Sequence, residues 1–158
     1  FTVQYDFVMP KRFDLKYTND KNETEQPIVI HRSSIGAIER TIAFIIEKFA
    51  GRFPVWISPV QVKILPISDK FLDYAKRVET QLKEAGIRVE IDDRAERLQA
   101  KIRDAEMEKD PYMLVVGEKE AFESTITVRK RDTKDQVVLA VDEFIKNIRA
   151  EISSFFHD

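Results

Sequence analysis

Val60-Gln61-Val62-Lys63-Ile64-Leu65 is the stretch on which the fold turns. Its apolar residues alternate with Gln61 and Lys63 at the period of a strand. Asp69 follows in capping position for a helix carrying Leu72, Ala75, Val78, Leu82 and Ala85, and Gly86 stands where such a helix stops. Ile87-Arg88-Val89-Glu90-Ile91 is a second strand. A polar, basic helix is expected from Ala95 to Lys109, with Leu98, Ile102, Ala105 and Met107 turned inward. Tyr112-Met113-Leu114-Val115-Val116 is a near-continuous apolar run, the mark of a strand covered on both faces. Strand, helix, strand, helix, strand at this spacing predicts an α/β fold with a parallel core. Thr125-Ile126-Thr127-Val128-Arg129 alternates again and is close enough to Gly117 to return antiparallel beside that run. The expected architecture is a mixed, mainly parallel sheet of about five strands flanked by helices. Val141 to Phe155 closes it as an amphipathic helix, with Val141, Phe144, Ile145, Ile148 and Ile152 on the buried side.

Upstream the pattern differs. Thr2-Val3-Gln4-Tyr5-Asp6-Phe7-Val8 reads as a strand with Val3, Tyr5 and Phe7 on one face and Thr2, Gln4 and Asp6 on the other. Thr18-Asn19-Asp20-Lys21-Asn22 has the composition of a hairpin turn, and Pro27 opens a short strand at Ile28-Val29-Ile30. Ser33 and Ser34 offer capping hydroxyls to a helix with Ile35, Ile38, Ile42, Ile45, Ile46 and Phe49 at helical spacing, ended by Gly51. Pro54 and Pro59 bracket an irregular connector, so residues 1–52 and 53–158 are expected as two domains. Phe1 enters the first strand directly with no initiator Met, which predicts a piece cut from a longer chain.

The 158 residues are 43% hydrophobic and 34% charged with only four glycines and six prolines, a balance that excludes fibrous and low-complexity classes. The absence of cysteine removes disulfides, thiol nucleophiles and Cys-bearing zinc sites built within this sequence. No apolar run is long enough for a membrane span, no membrane partner is expected, and a cytoplasmic location is. The net charge of −2 conceals local basic runs at Arg94, Arg97, Lys101 and Arg103 and at Arg129, Lys130, Arg131 and Lys134. Such runs suit either phosphate contact or a solvated face. The sequence has no Walker loop, no Gly-rich dinucleotide fingerprint and no HExxH. Taken alone, His31 fits a local hydrogen-bonding role as well as a ligand, and Glu39-Arg40 fits a solvated turn as well as an anion site.

His31-Arg32-Ser33-Ser34-Ile35-Gly36-Ala37-Ile38-Glu39-Arg40 closely resembles the third signature motif of class II aminoacyl-tRNA synthetases in their threonyl form. Phe53-Pro54-Val55-Trp56-Ile57-Ser58-Pro59-Val60-Gln61-Val62, Lys101-Ile102-Arg103 and Pro111-Tyr112-Met113-Leu114-Val115-Val116-Gly117-Glu118-Lys119-Glu120 resemble that family's anticodon-binding domain, so the likeness runs along essentially the whole chain. The resemblance implies a C-terminal remnant of the antiparallel catalytic domain in 1–52, joined to an anticodon-binding domain in 53–158. It implies that Arg40 contacts ATP, that Gln4 lines the adenylate pocket, and that His31 is one of three protein ligands of a zinc ion. It implies anticodon contacts from Glu120, Arg129, Arg94 and Arg103. The partners implied are tRNA(Thr), and threonine and ATP in a homodimeric parent enzyme. Ala95, Gln99 and Ala100 depart from the family pattern in the basic helix. Motifs one and two would lie upstream, so the isolated chain is expected to be catalytically inactive and to hold no cofactor. The alternative is a stand-alone RNA-binding or accessory protein with this fold and no aminoacylation activity.

Overall fold

The computed structural model describes residues 2–133 and 135–154. Phe1, Lys134 and Phe155, which the sequence-based expectations include, lie outside them. Contacts divide the chain into two compact units, Phe1–Glu47 and Lys48–Asp158.

The first unit contains β1 (Thr2–Asp6), a single helical turn α1 (Met9–Arg12), a small hairpin of β2 (Tyr17–Thr18) and β3 (Thr24–Glu25), β4 (Val29–Ser33), and all but the last two residues of α2 (Ile38–Phe49). β1 and β4 pair antiparallel with Gln4 opposite His31. The hairpin forms where the turn composition predicts it, with the Asn19 side chain accepting from the backbone N–H groups of Lys21 and Glu23. Ser33 Oγ accepts from Gly36 N at 3.0 Å, so Ser33 shapes the turn ahead of α2 and Ile35 falls outside the helix. Apolar surface stays open throughout: Tyr5 is 65%, Ile30 59% and Ile38 60% exposed, and α2 buries no residue.

In the second unit the expected alternation appears as β5 (Val62–Pro66), a 3-10 turn at Asp69–Phe71, α3 (Leu72–Glu84), β6 (Val89–Ile91), α4 (Leu98–Glu108), β7 (Tyr112–Val116), α5 (Glu118–Glu123), β8 (Thr125–Lys130), β9 (Gln136–Ala140) and α6 (Val141–Ser154). The sheet order is β6-β5-β7-β8-β9. β5 runs parallel to both β6 and β7, and β8 is antiparallel to its neighbours β7 and β9. The five-stranded mixed sheet is therefore as expected, with its fifth strand supplied by β9.

The two faces of the sheet are covered unequally, and this positions the site. One face carries Val62, Ile64, Leu114, Ile126 and Val128 against Val78 and Leu82 of α3 and Phe144 and Ile148 of α6. On the opposite face Leu65 and Met113 meet only Ile102 and Ala105 of α4, with Leu98 beside them. α4 covers the β5–β7 side and leaves the β8–β9 side of that face open.

Several local expectations need correction. α4 starts at Leu98 rather than Ala95, because Arg97 is in extended backbone. Met107 is 67% exposed rather than inward, since it lies far around the helix from the stripe that holds Leu98, Ile102 and Ala105. Asp69 opens the 3-10 turn rather than capping α3 directly, and no side-chain cap bond forms there. The Pro54–Pro59 segment is irregular, yet Val55 is buried in the main core and Gln61 ties the segment down, donating to Val55 O at 2.8 Å while accepting from Arg88 N at 2.9 Å. Gly86, at φ +79, ends α3 as its position predicts.

Candidate nucleic-acid interface

β8 places alternate residues on the two faces of the sheet, so Thr127 and Arg129 share the open face, about 7 Å apart at the usual rise of a strand. Cross-strand partners add Val138 opposite Thr127 and Gln136 opposite Arg129, both exposed. The edge is completed by Glu120, which α5 delivers immediately after β7. Gly117 links the two elements, and a Cβ there would lie 2.5 Å from Ile67 Cδ1, the tip of a partly exposed side chain that would have to move aside.

Glu120 is fixed by two bonds. Its Oε2 accepts from Gly117 N at 3.0 Å, closing the first turn of α5, and its Oε1 accepts from the Thr127 hydroxyl at 2.7 Å. Partial burial pushes its carboxyl up, but the Thr127 hydroxyl and the amides of Glu120 and Gly117 outweigh that and hold it below its ordinary value. The group is an ionised acceptor with spare lone pairs on both oxygens.

Arg129 does not pair with Glu120. Its Nη2 donates to Glu106 Oε1 of α4 at 2.7 Å, its side chain is 20% exposed, and its Nε has no hydrogen-bond partner among the described residues. The Arg129–Glu106 pair borders a cavity of about 410 Å³ shared with Arg52, Lys109, Arg131 and Asp132. Arg131 donates to Lys109 O at 2.7 Å and Phe53 O at 3.0 Å, Lys109 Nζ to Ala50 O at 2.6 Å, and Arg52 pairs with Asp132 at 2.9 Å.

The basic run before and within α4 behaves differently from its sequence appearance. Arg94 is gripped by Asp92 at 2.9 and 2.6 Å and by Asp104 at 2.9 Å, in a cavity that also exposes Asp93 and Glu108. The Arg94 guanidinium holds the Asp92 carboxyl below its usual value. Lys101 is not a surface cation at all. It is 3% exposed and donates to Asp92 O at 2.9 Å and Pro66 O at 3.3 Å, so it links β5 to the loop before α4 and offers nothing to a phosphate. Arg103 is exposed and makes no ion pair with the described residues. Glu106 and Thr127 carry no mark of their own in the sequence, although Thr127 stands two residues from Arg129 and so shares its face.

In the first unit the register puts Gln4 and His31 side by side on one face of the β1–β4 pair, diagonal to Asp6. His31 Nε2 lies 3.2 Å from Asp6 Oδ2, and Asp6 Oδ1 accepts from Val8 N and Met9 N. Those backbone amides, followed by His31, hold the Asp6 carboxyl below its ordinary value. Arg40 is exposed in the first turn of α2. Among the described residues no group of three or more His, Asp or Glu side chains converges on a point that could hold a metal. His31 alone does not make a zinc site, and nothing below is derived through that ion.

Residues 61–151 match the model of the anticodon binding domain, and residues 1–49 match that of the class II tRNA synthetase core domain for G, H, P, S and T. The first match covers more than half of the chain. The chain belongs to the anticodon-binding-domain family. Threonine–tRNA ligase of Clostridioides difficile is 52% identical over 97% of this chain, and that of Sulfurihydrogenibium 50% identical over the same share. The chain spans about a quarter of the length of these relatives, 24% in each case. The crystal structure of the RNA binding domain of threonyl-tRNA synthetase from Cryptosporidium parvum superposes with a TM-score of 0.70 at 39% identity, over 94% of this chain and 38% of that one. Prolyl-tRNA synthetase from the same organism reaches a TM-score of 0.63 at 22% identity, over 92% and 31%, a likeness of fold. In this anticodon-binding domain α4 covers the β5–β7 side of its face of the sheet, and Arg129, tied to α4 through Glu106, stands at the border of the β8–β9 part that it leaves uncovered.

Proposed function

We propose that the chain is the C-terminal part of a threonine–tRNA ligase, in which residues 53–158 bind the anticodon of tRNA(Thr) through the open face of the five-stranded sheet. The observation that carries this is identity of about half the residues along 97% of the chain, with the two family matches in the order a synthetase requires. Glu120 accepts from base N–H groups, and Arg129 donates to O6 and N7 of the guanine at the centre of threonine anticodons. Arg103 adds phosphate attraction, and Arg94 joins it by exchanging Asp104 for RNA.

Residues 1–52 complete the catalytic domain of the parent enzyme, a cytoplasmic homodimer that joins threonine to tRNA at the expense of ATP. Gln4 and His31, neighbours on one face of the β1–β4 pair, line the adenylate pocket there, with His31 as one zinc ligand and the remaining donors supplied by residues outside this chain. Arg40 holds ATP, a role suited to a planar and permanently charged guanidinium. The apolar faces that β1, β4 and α2 leave open support the idea that this segment packs against more of that domain.

Binding of the chain to anticodon stem-loops tests the reading. Wild type should prefer the loop with a central guanine over one with that base replaced, and Arg129→Ala should lose about ten- to hundredfold on the first and little on the second. Equal losses on both loops, or none, would remove Arg129 from base recognition.

A further inference from the structure

The cations around the Arg129 cavity are not equivalent. Arg131 and Lys109 donate to the backbone carbonyls of Lys109, Phe53 and Ala50, so their charges hold the chain near residues 50–53, and Arg52 is paired with the adjacent loop at Asp132. Arg129 is held by one carboxylate on the rim of α4, Glu106, which is itself 48% exposed. That contact can open without releasing any backbone group, and Arg129 keeps an unpartnered Nε on its inner side. An ion pair whose carboxylate is half exposed is weak, so it does not lock the guanidinium against a competing ligand. It does two other things. The bond fixes the direction of the guanidinium above the sheet, and the charge of Glu106 cancels the attraction that Arg129 would otherwise exert on any phosphate that approaches.

The geometry points to Glu106 as a specificity-determining residue: it orients Arg129 and screens its charge, so that a single phosphate oxygen gains little while a base edge offering two acceptors in fork geometry still does. The proposal rests on Arg129 reading a base, and it deepens that reading by assigning the discrimination against backbone contacts to a residue that need not touch RNA. A carboxylate placed against the reading cation lowers affinity for every RNA and lowers it most for the wrong one, which widens the ratio between them. Phosphate contacts are the salt-dependent ones, so removing the charge of Glu106 should register in the salt dependence as well as in the affinities.

Glu106→Gln keeps an acceptor for Nη2 and removes the charge. With the full chain and anticodon stem-loops carrying or lacking the central guanine, Glu106→Gln should tighten binding of the substituted loop by roughly three- to tenfold and of the guanine loop by less, as a freed surface cation warrants. The slope of log affinity against log salt should steepen by about 0.7–0.9, the value for one added phosphate contact. The double variant Glu106→Gln/Arg129→Ala should show neither change. If Arg129→Ala loses affinity for the guanine loop while Glu106→Gln alters neither the ratio nor the slope, base reading stands and the role of Glu106 is overturned. If Arg129→Ala loses nothing, or equally on both loops, base reading and the Glu106 role fall together.

Discussion

Replacing Asp110 by asparagine should make the second unit more stable at neutral pH, the opposite of the usual effect of changing a buried residue. Asp110 follows α4, is 6% exposed, and has one carboxyl oxygen buried without a partner among the described residues. Burial pushes its carboxyl up from 3.8 to about 6, against the attraction of Lys63 and Arg131 and with the help of repulsion from Glu108 and Glu90. The folded protein thus holds this proton to a higher pH than the unfolded chain does. The group costs nothing below the unfolded value, and its penalty grows as pH rises from 3.8 to about 6. Roughly a hundredfold difference in proton affinity between the folded and unfolded chain corresponds to about 3 kcal/mol at pH 7.5, falling to about a third of that by pH 4.5. Asparagine removes the charge but also the attraction to Lys63 and Arg131, so the net gain for Asp110→Asn should be about 1–3 kcal/mol at pH 7.5. Urea unfolding followed through Trp56, the one tryptophan of the sequence, reads this unit directly. The variant should unfold at higher urea with unchanged slope at pH 7.5, and the two curves should converge toward pH 4.5. A variant no more stable than wild type at pH 7.5, or an advantage that does not shrink in acid, would refute the reasoning.

Lys101→Met should destabilise the fold by roughly 1–3 kcal/mol, because it strips Asp92 O and Pro66 O of their donor. The folded fraction should keep the RNA salt dependence of wild type in a filter or anisotropy titration. Arg103→Ala should do the reverse, changing the urea midpoint within about 0.5 kcal/mol while weakening all RNAs alike and flattening the salt slope by about one phosphate contact. Metal analysis of chelator-washed chain should find far less than one zinc per molecule, since among the described residues His31 has only Asp6 beside it and no group of three possible ligands converges; near-stoichiometric zinc would contradict the assignment of the other ligands to a larger protein.

The strands of the sheet are legible where periodicity carries the information. Val60–Leu65, Ile87–Ile91, Tyr112–Val116 and Thr125–Arg129 each contain or overlap a strand of the second unit, because burial on one or both faces imprints alternation or a continuous apolar run. β9 is harder to place, since it is half-covered: Val137 and Val138 are each 51% exposed, and neither face imposes a pattern. α5 is six residues long and depends on the Gly117–Glu120 closure rather than on an apolar stripe. Lys101 is easily misread because lysine ordinarily seeks water, yet its position is written in the spacing. Leu98, Lys101, Ile102 and Ala105 follow the i, i+3, i+4, i+7 pattern of one helix face, which places the ammonium inside. For the site, the sequence names Glu120 and Arg129 through resemblance to a family. It cannot name their partners, because Thr127 and Glu106 meet them through sheet register and helix packing.

Titration of the isotopically labelled chain with a threonine anticodon stem-loop, followed residue by residue through backbone amide shifts, tests the central claim most directly. The account predicts perturbations concentrated at Gly117–Glu120, Thr127–Arg131, Gln136–Val138 and Glu106, on the face of the sheet that α4 leaves open. Perturbations confined to α3, β6 or the outer surface of α6 would place the RNA on the opposite face and contradict it.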